Sequence, residues 1–183
     1  MSSPDPHDLR RGADRIRLAA VRMVAPHGFG YLGQALSSAE LVACLFAGPY
    51  RPAQDRLVCS AGHYIIAVFA AASQLGLVDP ADLATYGCDG SSFEAIGTER
   101  SPAVDLTCGS LGQGLSGAAG FAVSHRLRGD SDARVFALLS DGELEEGQTW
   151  EAAMFAAHRG LDNLVVLLDA NDFQVDGPVS SIT

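Results

Sequence analysis

Three short apolar runs, each set off by a stretch of helical periodicity, constrain this chain more than any other feature. Asp55 to Ser60 (DRLVCS), Ala133 to Leu139 (ARVFALL) and Leu164 to Leu168 (LVVLL) have the length of strands, and the second, apolar without a break from Val135 to Leu139, reads as a buried one. Between them the sequence is helical: a small-residue run after Ala61-Gly62-His63 reaches Leu75 and is closed by Gly76, Leu111 to Leu127 is opened by glycines, and Gly147 to His158 follows the second strand. Strands that alternate with helices return in the same direction. The expected fold class is therefore α/β, a parallel sheet with helices on both faces.

The segment before the first strand reads as two helices. From Leu9 to Ala25 the apolar positions Ile16, Leu18, Ala19, Val21, Met23 and Val24 recur at helical spacing, and Pro26 stops the pattern. His27 to Gly33 is a glycine-rich loop. Ser37 and Ser38 are placed to cap a helix running through Glu40, Leu41, Val42, Leu45 and Phe46, which Gly48-Pro49 ends. Tyr86 to Pro102 has little periodicity, and a long irregular stretch in a compact domain is expected near a site. There is no fixed-period repeat and no low-complexity linker.

Composition narrows the function class. A chain of 183 residues with 48% hydrophobic and 19% charged content can bury a core, so one domain over residues 1–183 is expected. No apolar run approaches the roughly 20 residues of a membrane span, and the polar start from Met1 to Asp8 lacks a signal core, which points to a soluble, cytoplasmic protein without a membrane partner. A net charge of −10 argues against nucleic acid, whose phosphates need a basic surface. Cys44, Cys59, Cys88 and Cys108 stand far apart among small or apolar residues and read as reduced core thiols.

In an open parallel sheet, ligands bind beyond the carboxyl ends of the strands. Two strands here end in residues suited to a hard cation, Ser140-Asp141-Gly142 and Asp169-Ala170-Asn171-Asp172. Asp141 offers a carboxylate, Asn171 an amide oxygen, and Gly142 lets a backbone N–H approach a phosphate; magnesium takes such oxygen ligands and completes its shell with diphosphate and water. Alone, Asp141 after a strand is more often a helix cap than a metal ligand, His63 more often an ordinary helix-start residue, and Glu145 or Glu146 more often an acid favouring a helix N-terminus. The glycine-rich run from Gly109 to Gly114 is not a P-loop, since no Lys-Ser/Thr follows.

Four ordered blocks change that balance. The run SDGELEEGQTWEAAMFAAHRGLDNLVVLLDAND, from Ser140 to Asp172, resembles the thiamine-diphosphate signature of transketolases, with Asp141 and Asn171 thirty residues apart. GYLGQALSSAELVACLF, SAGHYIIAVFAA and VDLTCGSLGQGLSGAAG resemble further blocks of the same family in the same order. The resemblance implies that Asp141, Asn171 and the carbonyl of Phe173 hold Mg2+, for which Ca2+ or Mn2+ can substitute, and that Gly142 donates its N–H to the diphosphate. It implies that Gly109 and Leu111, with Ser110 between them, line the aminopyrimidine ring, that His63 lies beside the diphosphate and the reacting carbon, and that Glu146 and Glu151 link two active sites across a subunit interface.

The sequence also departs from the family pattern. Tyr31 stands where Gly-His-x-Gly is usual, no histidine lies between Tyr86 and Pro102, and Ser140 replaces the first glycine of the signature. Tyrosine, with an ordinary pKa of about 10, is a poor proton shuttle at neutral pH, which puts ordinary ketose chemistry in question. His27 is a substitute by position, or a solvated loop residue. The family's pyrimidine-binding domain, with its activating glutamate, is not represented, and the diphosphate domain itself reads as C-terminally short. The expectation is a diphosphate-binding subunit that transfers a two-carbon ketol unit with thiamine diphosphate, paired with a second subunit in a heterodimer or heterotetramer. Two alternatives stay open: a subunit of a 2-oxo-acid decarboxylase or acyl-transferase complex handing its unit to a lipoyl or carrier-protein arm, and a scaffold homologue without chemistry.

Overall fold

The computed structural model describes residues 4–182; residues 1–3 and 183, and with them the first part of the polar start, lie outside the described residues. The chain forms two compact units. One holds the described part of Met1–Arg51 together with His63–Thr107, the other Pro52–Gly62 with the described part of Cys108–Thr183.

The first unit is helical. Helix α1 (Pro6–Val24) starts at Asp5, whose carboxylate accepts the His7 N–H at 2.8 Å, with proline in the first turn where its missing N–H costs nothing. It buries Gly12, Ala13, Ile16, Ala20, Met23 and Val24, a stripe that leaves Leu18 and Val21 outside. Then come α2 (Leu32–Ser37), α3 (Ala39–Ala47) and α4 (Ile65–Gln74), whose Ile65 to Ala72 are all buried. Two expectations need correction here. The loop ends at Tyr31 and α2 follows directly, because Ser37 and Ser38 donate their hydroxyls back to the Gln34 carbonyl rather than capping α3. Cys44 lies on the outward face of α3 and Cys88 in a surface turn, so only Cys59 and Cys108 are core thiols. The long stretch after residue 85 has no helix or strand before α5 (Gly114–Arg128), as its composition predicts.

The second unit is a parallel three-stranded sheet in the order β1 (Arg56–Cys59), β2 (Val135–Ser140), β3 (Leu164–Asp169). Every residue of β2 is buried, as expected of a parallel strand covered on both faces, while the edge strand β3 exposes Val166 and Leu168. Helix α5 packs on the sheet and against α6 (Gly147–His158), whose bounds coincide with those read from the sequence. Past β3 the chain makes a two-residue hairpin, β4 (Phe173–Gln174) with β5 (Gly177–Pro178), and a final turn α7 (Val179–Ile182). The fold class is α/β with a parallel sheet, as expected. Among the described residues no helix is long and apolar enough to cross a membrane.

Helix α5 begins against the end of β1 so closely that a Cβ on Gly114 would sit 2.5 Å from Ser60 Cα, whereas Gly120, on the same helix, faces open space. Gly114→Ala is expected to destabilise the fold by about 1–3 kcal/mol through overpacking, and Gly120→Ala to stabilise it by about 0.5–1 kcal/mol through helix propensity. Urea titration reads both; equal effects at the two sites would contradict the close approach. By the same measurement Leu138→Ala, in the buried centre of β2, should cost about 2–5 kcal/mol, and Leu127→Ala, on the exposed side of α5, less than about 0.5 kcal/mol.

Candidate active site at the strand tips

Register brings the two acidic strand ends together. Ser140 pairs with Asp169, the last rung of the β2–β3 ladder, so the residues that follow emerge side by side. The Asp141 carboxylate then binds both tips: Oδ1 accepts the Gly142 N–H and Oδ2 accepts the Asp172 N–H, each at 2.9 Å. Asn171 donates its amide to Asp169 Oδ2 at 3.0 Å and accepts the Phe173 N–H at 2.9 Å, which fixes the amide oxygen toward the turn. Asp172 takes a positive φ of 63°, a conformation that Asp tolerates better than most residues, and this turns the chain into the hairpin. Gln174 reaches back from β4 to hydrogen-bond Glu145, with its side chain over Gly142.

The set Asp141 carboxylate, Asn171 amide oxygen and Phe173 carbonyl is all hard oxygen at one end of one sheet, and its chemistry fits a magnesium ion. The Gly142 N–H, expected on a phosphate, is directed to the carboxylate of its own neighbour. Among the described residues no cluster of three His, Cys, Asp or Glu side chains could hold a metal, so an ion here would depend on the amide and the carbonyl.

Beneath this surface lies a residue that sequence reasoning passed over. Glu143, in the 3-10 turn Gly142–Glu145, is fully buried; its Oε1 accepts the Ser60 hydroxyl at 2.5 Å and the Gly112 N–H at 2.8 Å. Its backbone is held as well, the N–H by Ser140 Oγ at 3.2 Å and the carbonyl by the Thr149 hydroxyl at 3.0 Å. Burial pushes its carboxyl above the usual range, against the pull of the Ser60, Gly112 and Ser140 hydrogen bonds, and Glu146 adds to the rise. Oε2 is buried with no hydrogen-bond partner among the described residues. In the sequence, Glu143 is one of three acids in a row of four residues. Only the turn after β2 decides which of them points inward, and the sole hint was a polar Ser60 ending an apolar strand.

The glycine loop 109–112 is anchored by that same carboxylate. Gly109 and Ser110 are exposed and Leu111 half-buried, whereas Gly112 is buried with φ +84°, and a Cβ there would come within 2.7 Å of Glu146 Cβ. Glycine is required for both reasons. Glu146 begins α6 in extended conformation without a capping hydrogen bond from its side chain, and it and Glu151 are exposed.

His63 belongs to the helical unit, in the 3-10 turn Gly62–Tyr64. Its ring lies 5.6 Å from that of Tyr31 and 4.9 Å from that of Tyr64, and burial lowers its pKa, which favours neutral imidazole. Tyr31, where the family pattern has histidine, therefore packs against the other expected histidine. Nearby in sequence, Phe29 stacks on Tyr86, whose hydroxyl is buried and pushed up to about 12, chiefly by desolvation. His27 is half-buried beside Phe29 rather than solvated, and its Nε2 has no partner among the described residues.

Comparison with known proteins identifies the family and the fold. Residues 9–183 match the family described as "Transketolase, thiamine diphosphate binding domain". A "Putative uncharacterized transketolase family protein y4mO" of Sinorhizobium fredii is 42% identical over 93% of this chain and 64% of its own length. The "6-deoxy-6-sulfo-D-fructose transketolase subunit SqwG" of a Clostridium species is 35% identical over 96% of this chain and 66% of its own. The chain spans 27% of human transketolase, at 34% identity over 89% of this chain. A crystal structure of transketolase from Campylobacter jejuni superimposes with a TM-score of 0.88 at 26% identity, covering 98% of this chain and 31% of that one. Together the register, the joined strand tips and these matches make this chain a member of the transketolase family, built on its thiamine-diphosphate-binding domain.

Proposed function

We propose that the chain is the diphosphate-binding subunit of a transketolase-like enzyme that moves a two-carbon ketol unit, and that it works with a second subunit carrying the pyrimidine-binding domain. The observation that carries the reading is the Asp141 carboxylate, hydrogen-bonded across the two strand tips to the Asp172 N–H, beside the Asn171 amide. When bound, thiamine diphosphate supplies the electron sink that such a transfer needs. The residues of this chain bind and orient. Asp141, Asn171 and the Phe173 carbonyl would hold Mg2+ beside the diphosphate, and the Gly142 N–H would be available to a phosphate oxygen. Gly109, Ser110 and Leu111 present backbone to the aminopyrimidine. His63, kept neutral by its surroundings, can hold or take a proton at the reacting end, and the exposed Glu146 and Glu151 reach the companion site across an interface. The activating glutamate comes from the partner.

The name of the clostridial relative supports both parts of this reading, since it describes a transketolase and a subunit. Tyr31 against His63 favours a donor recognised without the first family histidine, so the ketose is expected to be bound through other contacts.

Calorimetry with thiamine diphosphate and Mg2+ tests the site. Asp141→Ala is expected to weaken binding by about 10–100-fold while leaving the circular dichroism of the fold intact; unchanged affinity would remove Asp141 from the metal site. Ketol transfer from a ketose phosphate is expected only when the co-purifying subunit is present. Turnover by this chain alone, or turnover of pyruvate in place of the ketose, would replace the proposed assembly or the proposed donor class.

A further inference from the structure

Glu143 touches four segments of the sheet unit at once. Oε1 takes the Ser60 hydroxyl from the end of β1 and the Gly112 N–H from the glycine loop, and its backbone bonds Ser140 at the end of β2 and Thr149 in the first turn of α6. Two residues before it stands Asp141. None of these contacts faces solvent, because Ser60, Gly112, Glu143 and Thr149 are all buried. A buried carboxylate is costly to keep unless its hydrogen bonds do something that an apolar side chain could not. Here they tie the buried Gly112, the residue on which the glycine loop turns at φ +84°, to the segment that carries Asp141.

We infer that Glu143 is a positioning residue: through Gly112 it locks the glycine loop to the turn carrying Asp141 and Gly142, so that the ring-binding and phosphate-binding parts of the cofactor seat keep a fixed spacing. The inference rests on the function proposed above and adds to it a residue that touches neither cofactor nor metal. Its effect is selective. A ligand that occupies only the strand-tip turn does not sense the loop, whereas one that must span both does.

The test uses the full chain, with whatever subunit co-purifies, and two probes measured by calorimetry: thiamine diphosphate with Mg2+, and inorganic pyrophosphate with Mg2+. Glu143→Met keeps the volume but leaves Gly112 unpaired, and is expected to weaken thiamine diphosphate by about tenfold or more while pyrophosphate stays within about threefold. Glu143→Gln keeps an oxygen for the Gly112 N–H and should hold both affinities within about threefold of the parent. Ser60→Ala, a milder change that frees one side of Oε1, should repeat the Met signature at smaller size and decides the matter if Glu143→Met does not fold. Hydrogen exchange gives an independent readout: the Gly112 amide is expected to exchange faster in Glu143→Met, with β2 still protected. Equal loss of both ligands, or loss of neither, overturns the inference and leaves the proposed function standing. A parent protein that binds neither ligand overturns both.

Discussion

The pairing of β2 with β3 in parallel, in a register that ends on Ser140 opposite Asp169, is the constraint from which the rest of the sheet unit follows. Because both strands run the same way, their carboxyl ends and the turns beyond them must share one side of the sheet. A register shift of one residue would turn Asp141 to the opposite face and separate it from the Asp172 N–H it now binds. The apolar content of β2, every residue buried, is what makes that register costly to leave.

On this frame the polar groups fall into two layers with different roles. The outer layer, Asp141, Asn171 and the Phe173 backbone, is partly exposed and made of oxygen donors held by short local hydrogen bonds. The inner layer, Ser60, Glu143 and Thr149, is buried and joins separate stretches of chain. Groups in the first layer can exchange a backbone N–H for an ion or a phosphate at small cost, since both states are solvated. Those in the second cannot rearrange without stranding a buried donor or acceptor, at about 1–3 kcal/mol each.

Much of this was legible in the sequence, and the reasons are physical. The three strands and α6 stood out because length and apolar pattern are local properties, and α6 begins and ends where the glycine and His158 suggested. The short elements did not: α2, the hairpin after Asn171 and the 3-10 turns are set by hydrogen bonds between residues close in the chain but shaped by tertiary contacts, as when Ser38 turns back to Gln34. The candidate site residues at the strand tips could be named because strand ends predict where ligands sit. Glu143 could not, since burial of one acid among three depends on a turn. Likewise nothing in the sequence distinguished Cys44, on the outer face of α3, from Cys59 inside β1.

The sheet unit takes its first strand from between the two stretches of the helical unit, and Arg56 meets Val135 only after the helical residues between them have been made. Pairings between residues so distant in sequence are slow to form, because the intervening loop must be closed before any rung rewards it. During synthesis β1, with Leu57 and Val58, therefore waits unpaired while its neighbours fold, an apolar edge open to other chains. The strand that supplies Ser60 to the interior of the site is thus also the point where assembly of this protein is most exposed to error.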